Sequence, residues 1–177
     1  MKLIILDRDG VINADSAQFI KSPEEWKPIK GSLDAIARLN QAGYHVIVAT
    51  NQSGIGRGLF DMATLNAMHE KMSRALAQVG GRIDAIFYCP HTESSECECR
   101  KPKPGMLRAI GERFNTSLAG VPAVGDSPRD LAAAAAVGAH PILVRTGKGA
   151  ATLAAGNLPA GTETYDDLAA VALALTR

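Results

Sequence analysis

No stretch of this sequence comes near the ~20 consecutive apolar residues that a membrane-crossing helix needs. Nor is there an excess of either charge. Nineteen Lys and Arg face eighteen Asp and Glu, for a formal net charge of +1. A chain so balanced carries no field for gathering nucleic acid or an anionic membrane. Aromatic residues are only 5% of the 177, with a single Trp, so base-stacking platforms are also in short supply. Internal repeats and low-complexity linkers are absent. The N-terminal MKLIILDRDG has a short apolar run that ends in charges, not small cleavage-site residues, and reads as a strand instead of a signal peptide. The expected compartment is the cytoplasm, and a monomer is the default assembly.

Cysteine is also scarce, and its placement is informative. All three, Cys89, Cys97 and Cys99, fall in one segment, CPHTESSECEC. Three thiols cannot all pair as disulfides, and a reducing compartment disfavours such bonds. With His91 they make three thiolates and one imidazole, a set that fits a closed tetrahedral zinc site. Its expected role is structural, folding a polar loop that has no core of its own. The loop runs directly into Arg100 and Lys101.

What the sequence has is alternation. Nearly all-apolar runs at Lys2–Leu6, His45–Ala49, Ala85–Tyr88, Pro122–Gly125 and Pro141–Val144 suit parallel strands covered on both faces. Between and after them lie expected helices near Gly31–Gln41, Asp61–Val79, Lys103–Phe114, Pro128–Val137 and Thr164–Leu175. In the second, Met62, Leu65, Met68, Met72, Leu76 and Val79 form one stripe behind an Asp61 N-cap. The pattern predicts a single-domain α/β fold, a doubly wound parallel sheet with right-handed crossovers. Thr146–Gly161 is expected to be a surface excursion. Ala14–Ile29 is long for a connection, as functional loops often are.

Ligands of such sheets bind beyond the carboxyl ends of the strands, and polar residues collect there. The first strand ends in Asp7-Arg8-Asp9-Gly10, the second in Thr50-Asn51-Gln52-Ser53-Gly54. The third leads through the cysteine loop to Arg100-Lys101-Pro102, and the fourth ends in Gly125-Asp126-Ser127-Pro128-Arg129-Asp130. Two neighbouring carboxylates repel each other, and a divalent cation with a lysine offsets that repulsion. Asp126 is a reasonable third oxygen ligand for a hard ion such as magnesium. Lys101, Thr50 and Asn51 can hold phosphoryl oxygens, a combination suited to phosphoryl transfer. Each piece alone could be a cap or a turn; four strand ends in order favour a site. Other motifs fail: His69-Glu70 lacks a second His four residues on, the glycines after Ser53 are misplaced for a dinucleotide loop, and there is no Walker sequence.

The runs DRDGVIN, ATNQSGIGRG, CRKPKPGM and VGDSPRDLAAAAAVGA resemble, in order, the four motifs of the haloacid dehalogenase (HAD) superfamily of phosphatases. The resemblance implies a Rossmann-like core in which Asp7 is the nucleophile and Asp9 the general acid and base. It also implies that Thr50 orients the phosphoryl group and that Lys101, with Lys103 a nearby competitor, is the third-motif lysine. Magnesium would be held by Asp7, the Asp9 carbonyl and Asp126. Within the superfamily the chain is most similar to the heptose-bisphosphate phosphatases, which carry a like cysteine loop; histidinol-phosphate phosphatases share most of these features. There is no room for a large cap domain, so specificity for a phosphorylated sugar is expected from loops, through Asp15, Ser16, Gln18, Asn51, Gln52, Ser53, Arg57 and Arg100. Other readings are a histidinol-phosphate phosphatase, a polynucleotide 3′-phosphatase, and a non-catalytic sugar-phosphate binding module.

Overall fold

The computed structural model describes residues Met1–Arg177. Six parallel strands form one sheet: β1 (Lys2–Leu6), β2 (Tyr44–Asn51), β3 (Ala85–Cys89), β4 (Pro122–Gly125), β5 (His140–Val144) and β6 (Glu163–Tyr165). Their spatial order is β3-β2-β1-β4-β5-β6. The order reverses between β1 and β4, where one half of the sheet winds outward through β2 and the other through β5. That switch point opens a crevice at the carboxyl edge, so Asp7 after β1 and Asp126 after β4 face one another across it. Register carries this through: Ile5 pairs with Ala123 and Leu6 with Val124.

Seven helices flank the sheet: α1 (Ser32–Gln41), α2 (Ser53–Gly56), α3 (Met62–Gln78), α4 (Gly105–Arg113), α5 (Pro128–Ala136), α6 (Gly149–Ala155) and α7 (Leu168–Leu175). Alternate residues of β1 point into two separate cores, as period-2 geometry requires. Ile4 and Leu6 join the larger one, with Ile36 and Leu39 of α1, Leu65, Met68, Met72 and Leu76 of α3, and Leu168 and Val171 of α7. Leu3 and Ile5 join the smaller, with Met106, Leu107 and Ile110 of α4 and Ala133 and Ala134 of α5. Small alanines on α5 let that helix lie close to the sheet. The single tryptophan, Trp26, is fully buried in the larger core and tacks the long loop after β1 against α3, where Lys71 donates to the carbonyls of Pro23 and Trp26.

The doubly wound architecture agrees with the sequence pattern, and the α3 stripe is buried at its four central positions while Met62 and Val79 at the ends stay exposed. Asp61 caps α3 by accepting from the Thr64 amide at 2.9 Å. Two expectations need correction. Thr164 and Tyr165 do not begin the last helix; they belong to β6, and α7 starts only after Asp167, whose side chain accepts from the Ala170 amide. A strand of three residues is too short to show alternation. Thr146–Gly161 is not a mere surface excursion, for it contains α6 and returns to the crevice, as described below. No helix is long and apolar enough to cross a membrane.

Replacing Trp26 with Ala removes the largest buried side chain and leaves a cavity under the long loop. The expected cost is about 3–5 kcal/mol of folding stability, read from urea denaturation; a loss below about 1 kcal/mol would show that the loop is not anchored there.

Candidate active site

A polar cleft at the carboxyl edge encloses ≈ 220 Å³, and only three of its twenty lining residues are hydrophobic. Asp7 and Asp9 enter from the end of β1, Thr50, Asn51, Gln52 and Ser53 from β2, Arg100 and Lys101 from the segment after β3, and Asp126 from β4. Each strand stops where its backbone still holds its neighbours: the Asp7 amide donates to Val124, and the Gln52 amide to Cys89. The side chains that follow are therefore fixed relative to one another by main-chain bonds, not by their own flexibility.

Lys101 lies at the base. Only 4% of it is exposed, and its ammonium reaches Asp130 Oδ1 at 2.7 Å, the Ala49 carbonyl at 2.8 Å and Asp7 Oδ1 at 3.2 Å. Burial works against its charge, yet the carboxylates of Asp130 and Asp7 outweigh burial and raise its pKa overall. Asp130 is the counterpart: burial disfavours its charge too, but Lys101 and the Ser127 hydroxyl and amide hold it below the usual carboxylate range. Its Oδ2 accepts from Ser127 Oγ at 3.0 Å and from the amides of Asp126 and Ser127 at 3.1 Å. A first-turn acid at the start of α5 is also favoured by the helix dipole.

The other two carboxylates are raised. Burial, then Asp130, pushes Asp7 well above its ordinary value, with Asp126 and Asp9 adding to the effect and Lys101 opposing it. Burial and Asp130 likewise push Asp126 up to about 7. More negative charge is gathered here than Lys101 can balance. Oxygens of Asp7, Asp126 and Asp130 lie within 4.8 Å of one another. Asp130 is already committed to Lys101 and Ser127. Asp126 gives Oδ2 to the Lys148 amide at 2.9 Å, and the Asp9 main-chain carbonyl accepts no main-chain bond. The donor set Asp7, Asp126 and the Asp9 carbonyl thus fits a hard divalent cation.

Two glycines make this approach possible. A Cβ on Gly10 would sit 2.0 Å from Asp126 Oδ2, and one on Gly147 2.3 Å from the same oxygen. Both have positive φ, +87° and +57°, which glycine adopts without steric cost. Around them the segment after β5 closes the cleft: Thr146 donates to the Gly10 carbonyl at 2.7 Å and Thr152 to the Asp126 carbonyl at 2.8 Å. This wall, with Lys148 at the rim 3.6 Å from Asp15, escaped sequence reasoning because Gly- and Ala-rich composition looks like a loop. Asp130 stands in the polar run after β4, but its role was not legible, because an acid three residues after a Ser cap reads as a capping box, which it also forms.

Of the residues expected to contact substrate, Asp15, Ser16, Asn51, Gln52, Ser53, Arg57 and Arg100 line the cleft, as does Thr50; Gln18 does not. Gln18 is exposed, with its carbonyl taken by Lys21. Asn51 uses both amide atoms on the Lys101 main chain, at 3.1 Å each, and so braces the lysine. Lys103 does not compete for the lysine position: it points away to the Cys97 carbonyl at 2.7 Å. Arg57 and Arg100 meet at the rim on Glu93, at 2.6 and 3.1 Å.

Beside the cleft, Cys89, His91, Cys97 and Cys99 converge, their four donor atoms within 4.8 Å of one another. His91 Nδ1 is 3.4 Å from both Cys89 and Cys99 Sγ, and Cys89 Sγ is 3.8 Å from Cys97 Sγ. The edges of a tetrahedral site with ordinary Zn–S and Zn–N lengths are about 3.5–3.8 Å; the Cys89–Cys99 separation, 2.6 Å, is shorter. Burial, then Cys89, pushes the Cys99 thiol up to about 12, while main-chain and thiol donors, chiefly the Arg100 amide, outweigh burial at Cys97 and bring it to about 6. The donor set thus fits a cation that favours thiolates.

A family model described as HAD-hydrolase-like matches residues 98–171, and one described as polynucleotide kinase 3 phosphatase matches residues 2–128. The chain is 65% identical over 172 residues to a D-glycero-beta-D-manno-heptose-1,7-bisphosphate 7-phosphatase of Bordetella bronchiseptica, spanning 97% of this chain and 96% of that protein. It is 58% identical to the Pseudomonas aeruginosa protein of the same name, spanning 98% and 97%. A crystal structure of D,D-heptose 1,7-bisphosphate phosphatase from B. bronchiseptica, complexed with magnesium and phosphate, superposes with a TM-score of 0.98 at 64% identity, over 99% of this chain and 98% of that one.

Truncating Asp130 to Ala leaves the buried Lys101 ammonium with half its charge compensation. A stability loss of about 3–5 kcal/mol is expected by chemical denaturation, and an unchanged midpoint would show that Asp7 alone suffices.

Proposed function

The chain belongs to the HAD-like family of D-glycero-beta-D-manno-heptose-1,7-bisphosphate 7-phosphatases, and from that membership we propose how its own cleft performs the reaction. The protein is a phosphoric monoester hydrolase that removes the 7-phosphate of the heptose bisphosphate. The β anomer is the proposed form, in line with the names of the relatives at 56–65% identity. The observation that carries the chemistry is the pairing of Asp7 with Lys101 at 3.2 Å in a polar cleft that Asp9, Thr50 and Asp126 also line.

In the proposed mechanism Asp7 is the nucleophile. Its carboxylate attacks phosphorus and becomes an aspartyl-phosphate. Lys101, held ionised by Asp130, faces the oxygens on which negative charge concentrates and remains a fixed cation throughout. Thr50 is fully buried, its hydroxyl accepting from Gln52 Nε2 at 2.9 Å and donating to the Asn51 carbonyl at a long 3.4 Å; with substrate bound, that proton turns to the phosphoryl group. Asp9 protonates the departing sugar oxygen, then removes a proton from the water that releases phosphate. Asp7, Asp126 and the Asp9 carbonyl would hold magnesium, which would supply charge neutralisation and work against the repulsion that raises Asp7 and Asp126.

Specificity is proposed to reside at the rim. Arg57 and Arg100 converge from α2 and from the end of the cysteine loop, at a distance suited to a second phosphate or sugar hydroxyls. Zinc is the proposed occupant of Cys89, His91, Cys97 and Cys99. It fixes the loop whose end delivers Arg100 and Lys101, so its part is structural.

Asp7→Asn is expected to abolish phosphate release from the heptose bisphosphate while far-UV circular dichroism and the melting transition persist. Retained turnover would remove the nucleophile assignment. A panel including histidinol phosphate and 3′-phosphorylated DNA tests the substrate, and preference for either over the bisphosphate would overturn it.

Protein purified without chelator is expected to contain about one zinc per chain by elemental analysis. Cys97→Ser is expected to lose the metal and lower the melting temperature. Finding no zinc in the parent protein would refute the site.

A further inference from the structure

Asp9 presents its two carboxylate oxygens to different surroundings. Oδ1 accepts from Arg8 Nε at 2.8 Å and from Asn13 Nδ2 at 2.9 Å, with Arg8 Nη2 also 2.8 Å away. Oδ2 faces only the Gln52 amide, at 3.3 Å. An oxygen surrounded by a guanidinium and an amide has no room for a proton, so Oδ2 is the one left for proton exchange.

Arg8 imposes this division, and it is itself held from behind. Its side chain is wholly buried, a costly place for a cation unless its donors are satisfied. Nε donates to Asp9, while Nη2 lies at ion-pair distance from the same oxygen without making a hydrogen bond. Nη1 reaches His69 Nε2 at 3.2 Å and Met68 Sδ at 3.9 Å, both on α3. Arginine can only donate, so His69 Nε2 must offer its lone pair and the ring proton must sit on Nδ1. Burial, with Arg8 beside it, lowers His69 to about 4, against an opposing pull from Asp9, so the ring is neutral in ordinary buffers. His69 does not line the cleft. The proposed chemistry does not use it, and its pairing with Glu70 gave no metal motif in the sequence.

We infer that His69 is a positioning residue for leaving-group protonation: through Arg8 it fixes the Asp9 carboxyl so that Oδ2 carries the proton to the ester oxygen. This rests on the reading of Asp9 as general acid. In the step concerned, Asp7 forms a P–O bond as the P–O bond to the sugar breaks. The proton on Asp9 Oδ2 moves to the departing oxygen, giving an alcohol and an Asp9 carboxylate. That carboxylate then takes a proton from the attacking water as the aspartyl-phosphate bond breaks.

Leaving-group dependence separates positioning from general damage. A sugar leaves as a poor alkoxide and needs the proton; 4-nitrophenyl phosphate leaves as a stabilised phenolate and needs little. First-turnover leaving-group release is measured for both esters with His69→Leu and His69→Gln. The Leu variant is expected to slow release from the heptose bisphosphate by about tenfold or more, a fraction of what general acid catalysis contributes. Its KM should stay near the parent value, and release of 4-nitrophenolate should be nearly unchanged. Gln, which keeps an acceptor, should restore most of the sugar-ester rate. Equal losses on both esters, no loss with Leu, or no rescue by Gln would overturn the inference. His69→Phe, which keeps ring volume, replaces Leu if that variant does not fold. Asp9→Asn is run in parallel: if its losses are equal for the two esters, the general-acid assignment fails and the inference falls with it, whereas selective loss in Asp9→Asn without it in His69→Leu sinks the His69 role alone.

Discussion

A buried ammonium between a buried and a half-buried carboxylate organises this molecule. Lys101 ties the end of the cysteine loop to β1 through Asp7, to β2 through Ala49 and Asn51, and to the start of α5 through Asp130. Two strand ends and a helix N-terminus therefore converge on one charge. Taking these groups out of water is costly, and the cost is offset only because each has a partner at hydrogen-bond distance. The same compensation leaves Asp7 and Asp126 with excess negative charge, and that excess makes the cleft receptive to a divalent cation.

Around this centre the site is built by backbone, with side chains added to it. Gly10 and Gly147 pack their main chains against the Asp126 carboxylate, Thr146 and Thr152 pin the last segment to β1 and β4, and Asn51 grips the Lys101 peptide. The rim is of another kind. Arg57 and Glu93 are exposed, and their ion pair is screened by water, so it holds the rim less firmly than the buried pairs hold the floor. A firm floor and a less firmly held rim suit an enzyme with fixed chemistry and a loop-based choice of substrate.

Much of the fold was legible because parallel strands buried on both faces must be apolar throughout. Lys2–Leu6 and Pro122–Gly125 could be read to the residue for that reason, and Asp61 announced the start of α3 by its capping chemistry. Short elements were not legible. Glu163–Tyr165 makes a strand only because Val144 and Leu143 lie beside it, and α6 is Gly- and Ala-rich, with no stripe of its own to detect.

For the site, local chemistry determined the inventory. Asp7, Asp9, Thr50, Lys101 and Asp126 stand out because polar residues gather, in order, near four strand ends, and the resemblance to the HAD motifs supplies their roles. Four metal-competent side chains in eleven residues likewise stand out by composition. What the tertiary structure alone decided was partnership. Asp130 serves Lys101, Asn51 serves a peptide bond in place of a ligand, Gln18 faces solvent, and His69 reaches Arg8 from 61 residues away. Residue type and spacing prescribe what a group can do. Which of its capacities is used depends on the neighbour that burial forces upon it, and that neighbour is chosen by the packing of distant elements.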